Sequence, residues 1–247
     1  MLKQERQRII LEHLRTEKRI NFMELSLLLK VSYDSIRRDV IELEDKGLLK
    51  KVHGGAVANA YLSRLSGDAH RNQELQVLYR KVLPILEDSR VVLLDGGTTN
   101  FYIAEQLPKS MDLTVVTNNL PLAMVLNDHP KVNVILLGGT YFKRYQISMG
   151  WEAIRQLDQL HIDTYLMGIN GVCLKKGMTI RHYEESLLKQ RMMAASAQTF
   201  CCAIDEKIGQ AEAFQICKAK AIAGLITNLK PNHELVSDWR EVGIQVL

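Results

Sequence analysis

The sequence predicts an α/β chain in two parts: a small helical module ending in a hairpin over residues 1–58, and an open α/β domain over 75–247, joined by a linker over 59–74. Three observations predict it. A length of 247 residues with 47% hydrophobic content suffices for one small core and one larger one. The first quarter carries apolar residues at helical spacing, whereas from residue 90 onward short Val, Ile and Leu runs alternate with helical stretches. Between them, "NAYLSRLSGDAHRNQE" is polar and has little periodicity.

Composition excludes several classes. Charged residues occupy the start of the chain, where a signal peptide would need its apolar segment, and no apolar run approaches the roughly 18 residues of a membrane span. The expectation is a cytoplasmic protein without membrane contact. Cys173, Cys201, Cys202 and Cys217 lack C-x-x-C spacing, which predicts reduced thiols, two of them in a buried strand. The seven histidines form no HExxH cluster, so no metal is expected. Net charge is only +4, yet residues 1–58 hold 12 Lys plus Arg against 9 Asp plus Glu, so most of the excess sits in less than a quarter of the chain.

That quarter resolves into three helices and a hairpin. Ile10, Leu11 and Leu14 give the first an apolar stripe, and Phe22, Leu25, Leu28 and Leu29 give the second another, opened by Asn21 with Glu24 as a capping-box start. Ser32 caps the third, Asp34 suits its first turn, Ile36, Val40 and Leu43 form its buried face, and Gly47 stops it. At about 100° per residue, Asp34 and Arg38 lie opposite that face, with Ser35 and Arg37 on its flanks. A tight turn between two such helices makes a helix-turn-helix, whose second helix fits the major groove of duplex DNA. There Ser35, Arg37 and Arg38 reach base edges or phosphates, while Tyr33 and the hairpin residues Lys50, Lys51 and His53 form a wing on the backbone. The bland alternative is a three-helix module with a solvated charged face.

In the larger domain, the runs at 90–95, 113–118, 132–137, 163–168, 199–204, 221–227 and 242–247 read as strands apolar on both faces, hence a parallel sheet covered by helices on both sides. Such sheets bind ligands at the carboxyl ends of their strands. Chemistry gathers there. Asp95, Gly96, Gly97, Thr98 and Thr99 follow one strand and open a helix, which describes a phosphate cradle. Thr117 and Asn118 end a second strand, and Gly138 and Gly139 a third, followed by Lys143 and Arg144. Each could be a plain strand-to-helix turn; three together point to one shared pocket. GxxxxGK[ST] and GxGxxG are absent, which argues against a nucleoside triphosphate or dinucleotide cofactor.

The chain resembles the DeoR-type bacterial transcriptional regulators. "MLKQERQRIILEHL", "VSYDSIRRDVIELEDKGLLKKVHGGA", "DGGTT", "VVTNNLPLA", "VILLGGT", "MGINGV", "KGMTI" and "EESLLKQRMM" carry the resemblance over nearly the whole chain. It implies that the "IRRD" helix reads DNA within a winged helix-turn-helix. It also implies a C-terminal sensor domain resembling ribose-5-phosphate isomerase that answers a phosphorylated sugar or related metabolite, with Asn170, Lys189 and Lys207 joining the pocket. The expected function is a repressor of a carbohydrate operon, acting as a homodimer or homotetramer. This chain departs from the pattern at Lys30, where many members carry Gly, at Asn170, where they carry Asp, and in the shortened Asp205–Gly209 segment.

The competing reading is a sugar-phosphate isomerase, which needs a carboxylate base and a group to steady the enediolate. Glu184, Glu185, Asp95 and Lys207 are candidates. Asn170 cannot exchange protons as a carboxylate would, and a DNA-reading module has no role in simple metabolism, so no catalysis is expected. His182 reads as a pocket-rim or surface residue. A purely structural protein would leave Arg37 and Arg38 unexplained.

Overall fold

The computed structural model describes residues 2–17, 19–45, 48–58 and 69–247. Gly47, the expected helix stop, lies outside them, as do residues 59–68 of the expected linker. Contacts divide the chain into Met1–Asp68 and Ala69–Leu247.

In the first unit the helices are α1 (Lys3–Glu17), α2 (Phe22–Leu29) and α3 (Tyr33–Asp45). Ile10, Leu14, Phe22, Leu25, Ile36, Val40 and Leu43 bury as their spacing predicts. Leu28 does not: it is 57% exposed, because eight residues of helix turn only one narrow face inward and Phe22 and Leu25 fill it. Asn21 caps α2 by accepting from Met23 N at 2.8 Å, and Ser32 caps α3 by accepting from Ser35 N at 3.2 Å. Lys30 ends α2 in the left-handed conformation (φ 52°, ψ 46°), a conformation that favours Gly. The hairpin β2 (Leu49–Val52) and β3 (Gly55–Ala58) gains a third strand that periodicity did not reveal, β1 (Arg19–Asn21), paired antiparallel to β3. Three residues are too short to show a period.

The second unit opens with α4 (Ala69–Glu87). Residues 69–74, placed in the linker from sequence, are its first turns. Its apolar stripe, Leu75, Leu78, Val82 and Leu86, begins only at Leu75, so the leading turns carry no core signal.

All seven apolar runs are strands of one parallel sheet: β4 (Val91–Leu94), β5 (Leu113–Thr117), β6 (Val132–Leu136), β9 (Ile162–Gly168), β12 (Ser196–Ala203), β14 (Gly224–Thr227) and β15 (Gln245–Val246), in the order β15-β14-β12-β9-β4-β5-β6. Alternation explains why the runs are continuously apolar. Val92 and Leu94 pack on one face with α4, α5 (Thr98–Glu105) and α6 (Leu120–Val125), while Leu93 packs on the other with α7 (Trp151–Leu157), α8 (Tyr183–Ala194) and α9 (Glu234–Glu241). β6 is the exception. At the sheet edge, Val134, Ile135 and Leu136 remain exposed on both faces. Two antiparallel additions complete the unit: the hairpin β7 (Thr140–Phe142) and β8 (Ile147–Met149), and a sheet of β10 (Gly171–Cys173), β11 (Gly177–Ile180) and β13 (Phe214–Cys217). Cys201 and Cys202 are buried in β12 and all four thiols are free; burial pushes Cys202 up to about 12.

Candidate functional site

In the first unit, α3 and the hairpin form the walls of a groove lined by Tyr33, Arg37, Lys51 and His53. Arg37 and Arg38 are exposed, as their angular position requires. Arg38 Nε donates to Asp34 O at 3.3 Å, and Ser35 Oγ lies 2.9 Å from Ser32 Oγ. Lys50 supplies backbone to β2; its side chain lies outside the described part.

Two carboxylates hold this face in place, and sequence reasoning gave neither a role. Asp39, 2% exposed, receives Arg6 Nε and, at 3.1 Å, Arg6 Nη2, so α1 grips α3 on the side away from its arginines. Glu44 accepts from Lys51 N at 2.9 Å and fastens the wing to α3. The "RRD" triplet is thus two outward cations and one inward anion. An Asp three residues after Ile36 and one before Val40 falls on the buried side, and that is the signal that could have found it.

In the second unit, β5 and β6 are laid to one side of β4, the first strand, and β9, β12, β14 and β15 to the other. The switch point, where such sheets open a crevice, is therefore between the carboxyl ends of β4 and β9. Asp95 sits there, 1% exposed and fully engaged: Tyr165 Oη and Lys189 Nζ donate to Oδ2, Gly168 N donates to Oδ1 at 3.0 Å, and Asn100 Nδ2 donates to Oδ1 at 2.8 Å. A Cβ on Gly168 would stand 2.8 Å from Asp95 Oδ1, so only glycine lets the two strand ends approach. Lys189 also donates to Gly168 O at 2.9 Å and lies 3.6 Å from Glu185. Asp95 and Lys189, both expected to meet a ligand, already hold each other and join the two loops.

The remaining candidates are less tied. Gly96, Gly97 and Thr98 are partly accessible, and Thr99 is buried at the start of α5. The first intrahelical bond there runs from Phe101 N to Gly97 O at 3.0 Å, so the preceding N–H groups are free to hold an anion. Thr117 Oγ1 accepts from Asn119 N at 3.1 Å. Asn118 Nδ2 donates to Ser148 O at 3.0 Å, which leaves its buried Oδ1 without a partner, as is Gln146 Oε1.

Gly138 and Gly139 do not open a helix. Gly139 (φ 120°) passes so close to β8 that a Cβ would lie 2.5 Å from Met149 O, and the chain turns into the β7–β8 hairpin instead. Lys143 and Arg144 stand exposed near the hairpin's turn, while Tyr145 Oη meets His182 Nε2 at 2.5 Å. Bonds from Ser148 and Asn118 and the contact of Ile147 with Gly96 seat the hairpin beside the ends of β4 and β5. Gln146 thus joins the site through Asn119, and Tyr145 ties the same hairpin to His182, the residue read from sequence as pocket-rim or surface.

Asn170 Oδ1 accepts from Arg181 N at 3.3 Å. Lys207 closes a short 3-10 turn after β12, and burial lowers its pKa from the ordinary lysine value. Burial likewise raises Glu185, opposed by Lys189 and His182 and reinforced by Asp95.

A groove-reading helix with a basic wing, on a chain that also carries an open α/β domain with polar strand ends, defines a two-domain DNA-binding regulator. The DeoR-like helix-turn-helix domain matches residues 6–61 and the DeoR C-terminal sensor domain residues 72–229. The chain belongs to the DeoR family of transcriptional regulators.

Relatives include the HTH-type transcriptional repressor GlcR of Bacillus subtilis, 30% identical over 100% of this chain and 96% of that one. GlpR of Haloferax volcanii, an HTH-type transcriptional regulator, is 31% identical over 100% and 98%. The L-fucose operon activator of Haemophilus influenzae is 27% identical over 88% of each. Among solved structures, a D-ribose-5-phosphate isomerase in complex with phospho-erythronic acid aligns at 14% identity and TM-score 0.41, over 57% of this chain and 55% of that one. Among the described residues, no helix is long and apolar enough to cross a membrane.

Proposed function

We propose that this chain is a cytoplasmic repressor of a carbohydrate operon, released or recruited by a phosphorylated sugar and working without catalytic turnover. Residues 1–58 read duplex DNA, Ser35, Arg37 and Arg38 at base edges and Tyr33, Lys50, Lys51 and His53 along the backbone. The observation that carries this reading is the single groove in which Tyr33, Arg37, Lys51 and His53 meet, with Glu44 spent on holding the wing. Relatives named for a repressor and for an L-fucose operon activator support the sugar-operon setting.

Residues 75–247 sense the effector. Its phosphate takes the N–H groups of Gly97, Thr98 and Thr99 at the start of α5, and its hydroxyls take the unpartnered acceptors of Asn118 and Gln146. Gly96, Thr117, Gly138, Gly139 and Asn170 shape the walls, Lys207 supplies charge, and Asp95 with Lys189 positions the cradle. Catalysis is disfavoured because Asp95, one of the carboxylates that could serve as a base, is consumed in a buried pair with Lys189. One module offers few phosphate contacts, so the chain self-associates to set two modules on one site.

The test is a gel-shift titration against the DNA upstream of its own gene. Arg37→Ala with Arg38→Ala abolishes specific retardation; undiminished binding overturns the assignment.

A further inference from the structure

We propose that two copies of this chain pair edge to edge along β6, antiparallel about a twofold axis through Val134, so that two seven-stranded sheets become one. The inference rests on the self-association proposed above and names its surface. Among the described residues from Ala69 to Leu247, thirteen large hydrophobic side chains are exposed, and eight of them fall between Leu120 and Trp151. Five of the eight belong to β6 or to α6, the helix packed on it. β6 itself exposes Val134 (37%), Ile135 (37%) and Leu136 (43%), and α6, packed against it, exposes Met124 (63%).

An edge strand normally protects itself with a charge, a proline or a bulge. The sequence Val132-Asn133-Val134-Ile135-Leu136 carries no charge and no proline, and its register with β5 runs without a shift. The opposite edge, β15, has only two residues. Leu137 N donates to Thr117 O on β5 at 2.8 Å. Since backbone groups alternate in direction along a strand, Ile135 also faces β5, whereas Val134 and Leu136 direct N–H and C=O away from the sheet. Those are the groups a further strand would use.

The occupant is a second copy. A twofold through Val134 sets that residue opposite its own counterpart, N–H to C=O in both directions, with Leu136 opposite Val132 and Ile135 opposite Asn133. No like charges meet. Val134, Ile135 and Leu136 with Met124 of α6 supply the apolar centre of the contact, and the outward N–H and C=O groups of Val134 and Leu136 set its register.

Sedimentation equilibrium of the full chain tests this with Val134→Pro and Val134→Lys. Neither removes a bond to β5, because the Val134 amide points outward. The wild type is expected to be a dimer or a larger even-numbered assembly. Each substitution should raise the dissociation constant at this contact about 30-fold or more, as loss of a central interface residue does. Should Val134→Pro fail to fold, Val134→Lys, with a wild-type circular dichroism spectrum, carries the test. Variants that associate like the wild type, or a wild type that is monomeric, overturn the pairing. A monomer that still retards duplex DNA would sink only the pairing, whereas a β6-dependent dimer that ignores DNA would uphold it and sink the regulator reading.

Discussion

Lys189 on α8 and Asp95 at the end of β4, 94 positions apart in sequence, form an ion pair with side chains only 2% and 1% exposed. It ties the first strand's loop to the loop after β9 at the point where the sheet changes direction.

The two partners are not equivalent. Without Lys189, Asp95 keeps donors from Tyr165, Gly168 and Asn100; without Asp95, Lys189 keeps Gly168 O and a 3.6 Å approach to Glu185. Asp95→Ala therefore strands a buried cation and should destabilise the sensor unit by about 3–5 kcal/mol, and Lys189→Met by clearly less. Urea denaturation of both variants measures the difference. Equal losses would mean that the pair is symmetrical and the donor network idle.

Glu185 supplies a pH dependence. Its carboxyl is raised above the ordinary value of 4.5, burial being the main cause, so between that value and its folded pKa the native state binds the extra proton. Stability of the sensor unit should then fall as pH rises through this window, and Glu185→Gln should flatten the fall. Thermal melts across the acid range decide it. A wild-type curve that rises through the window would contradict the sign.

Lys30 holds a left-handed conformation at the end of α2. Relieving it with Lys30→Gly should stabilise the DNA-reading unit by about 0.5 kcal/mol, the relief of about 1–2 kcal/mol being offset in part by roughly 0.4–1 kcal/mol of added freedom in the unfolded chain. A measured loss of stability would show that the lysine side chain contributes more than its backbone strain takes away.

At the DNA, Arg37→Ala should lose about 1–3 kcal/mol at its cognate base pair, whereas Lys51→Ala should weaken all sequences alike and reduce the salt slope by about one unit. Titrations at several salt concentrations separate these behaviours. A sequence-selective effect of Lys51→Ala would move that lysine from phosphate to base edge.

Effector and operator must influence each other equally. A coupling of about 1–3 kcal/mol corresponds to roughly 5–150-fold in either affinity, so calorimetry of a phosphorylated sugar with and without saturating operator should give the same factor as the DNA titration. Thr98→Val with Thr99→Val tests the cradle's placement. Unchanged affinity would put the phosphate in another loop.

Local chemistry made much of this protein legible without coordinates. Ile36, Val40 and Leu43 recur at helical spacing, so Arg37 and Arg38 had to face outward; Ser32 and Asn21 carry the oxygens that cap helices; and seven apolar runs sufficed for a parallel sheet, though not for which of them, β6, would be left exposed at its edge. What needed tertiary structure were facts about partners distant in the chain. Asp95 read as a ligand group until Lys189, Tyr165 and Gly168 closed around it, and Gly139 as a cradle until Met149 O passed beside it. Tyr145 reaches His182 across a hairpin that two three-residue strands were too short to announce. The order β15-β14-β12-β9-β4-β5-β6 decided which loops share a crevice and which strand is left at the edge. A residue's own neighbours set its spacing and capping, which repeat along the chain, but the satisfaction of a buried charge depends on what the fold brings to it from elsewhere.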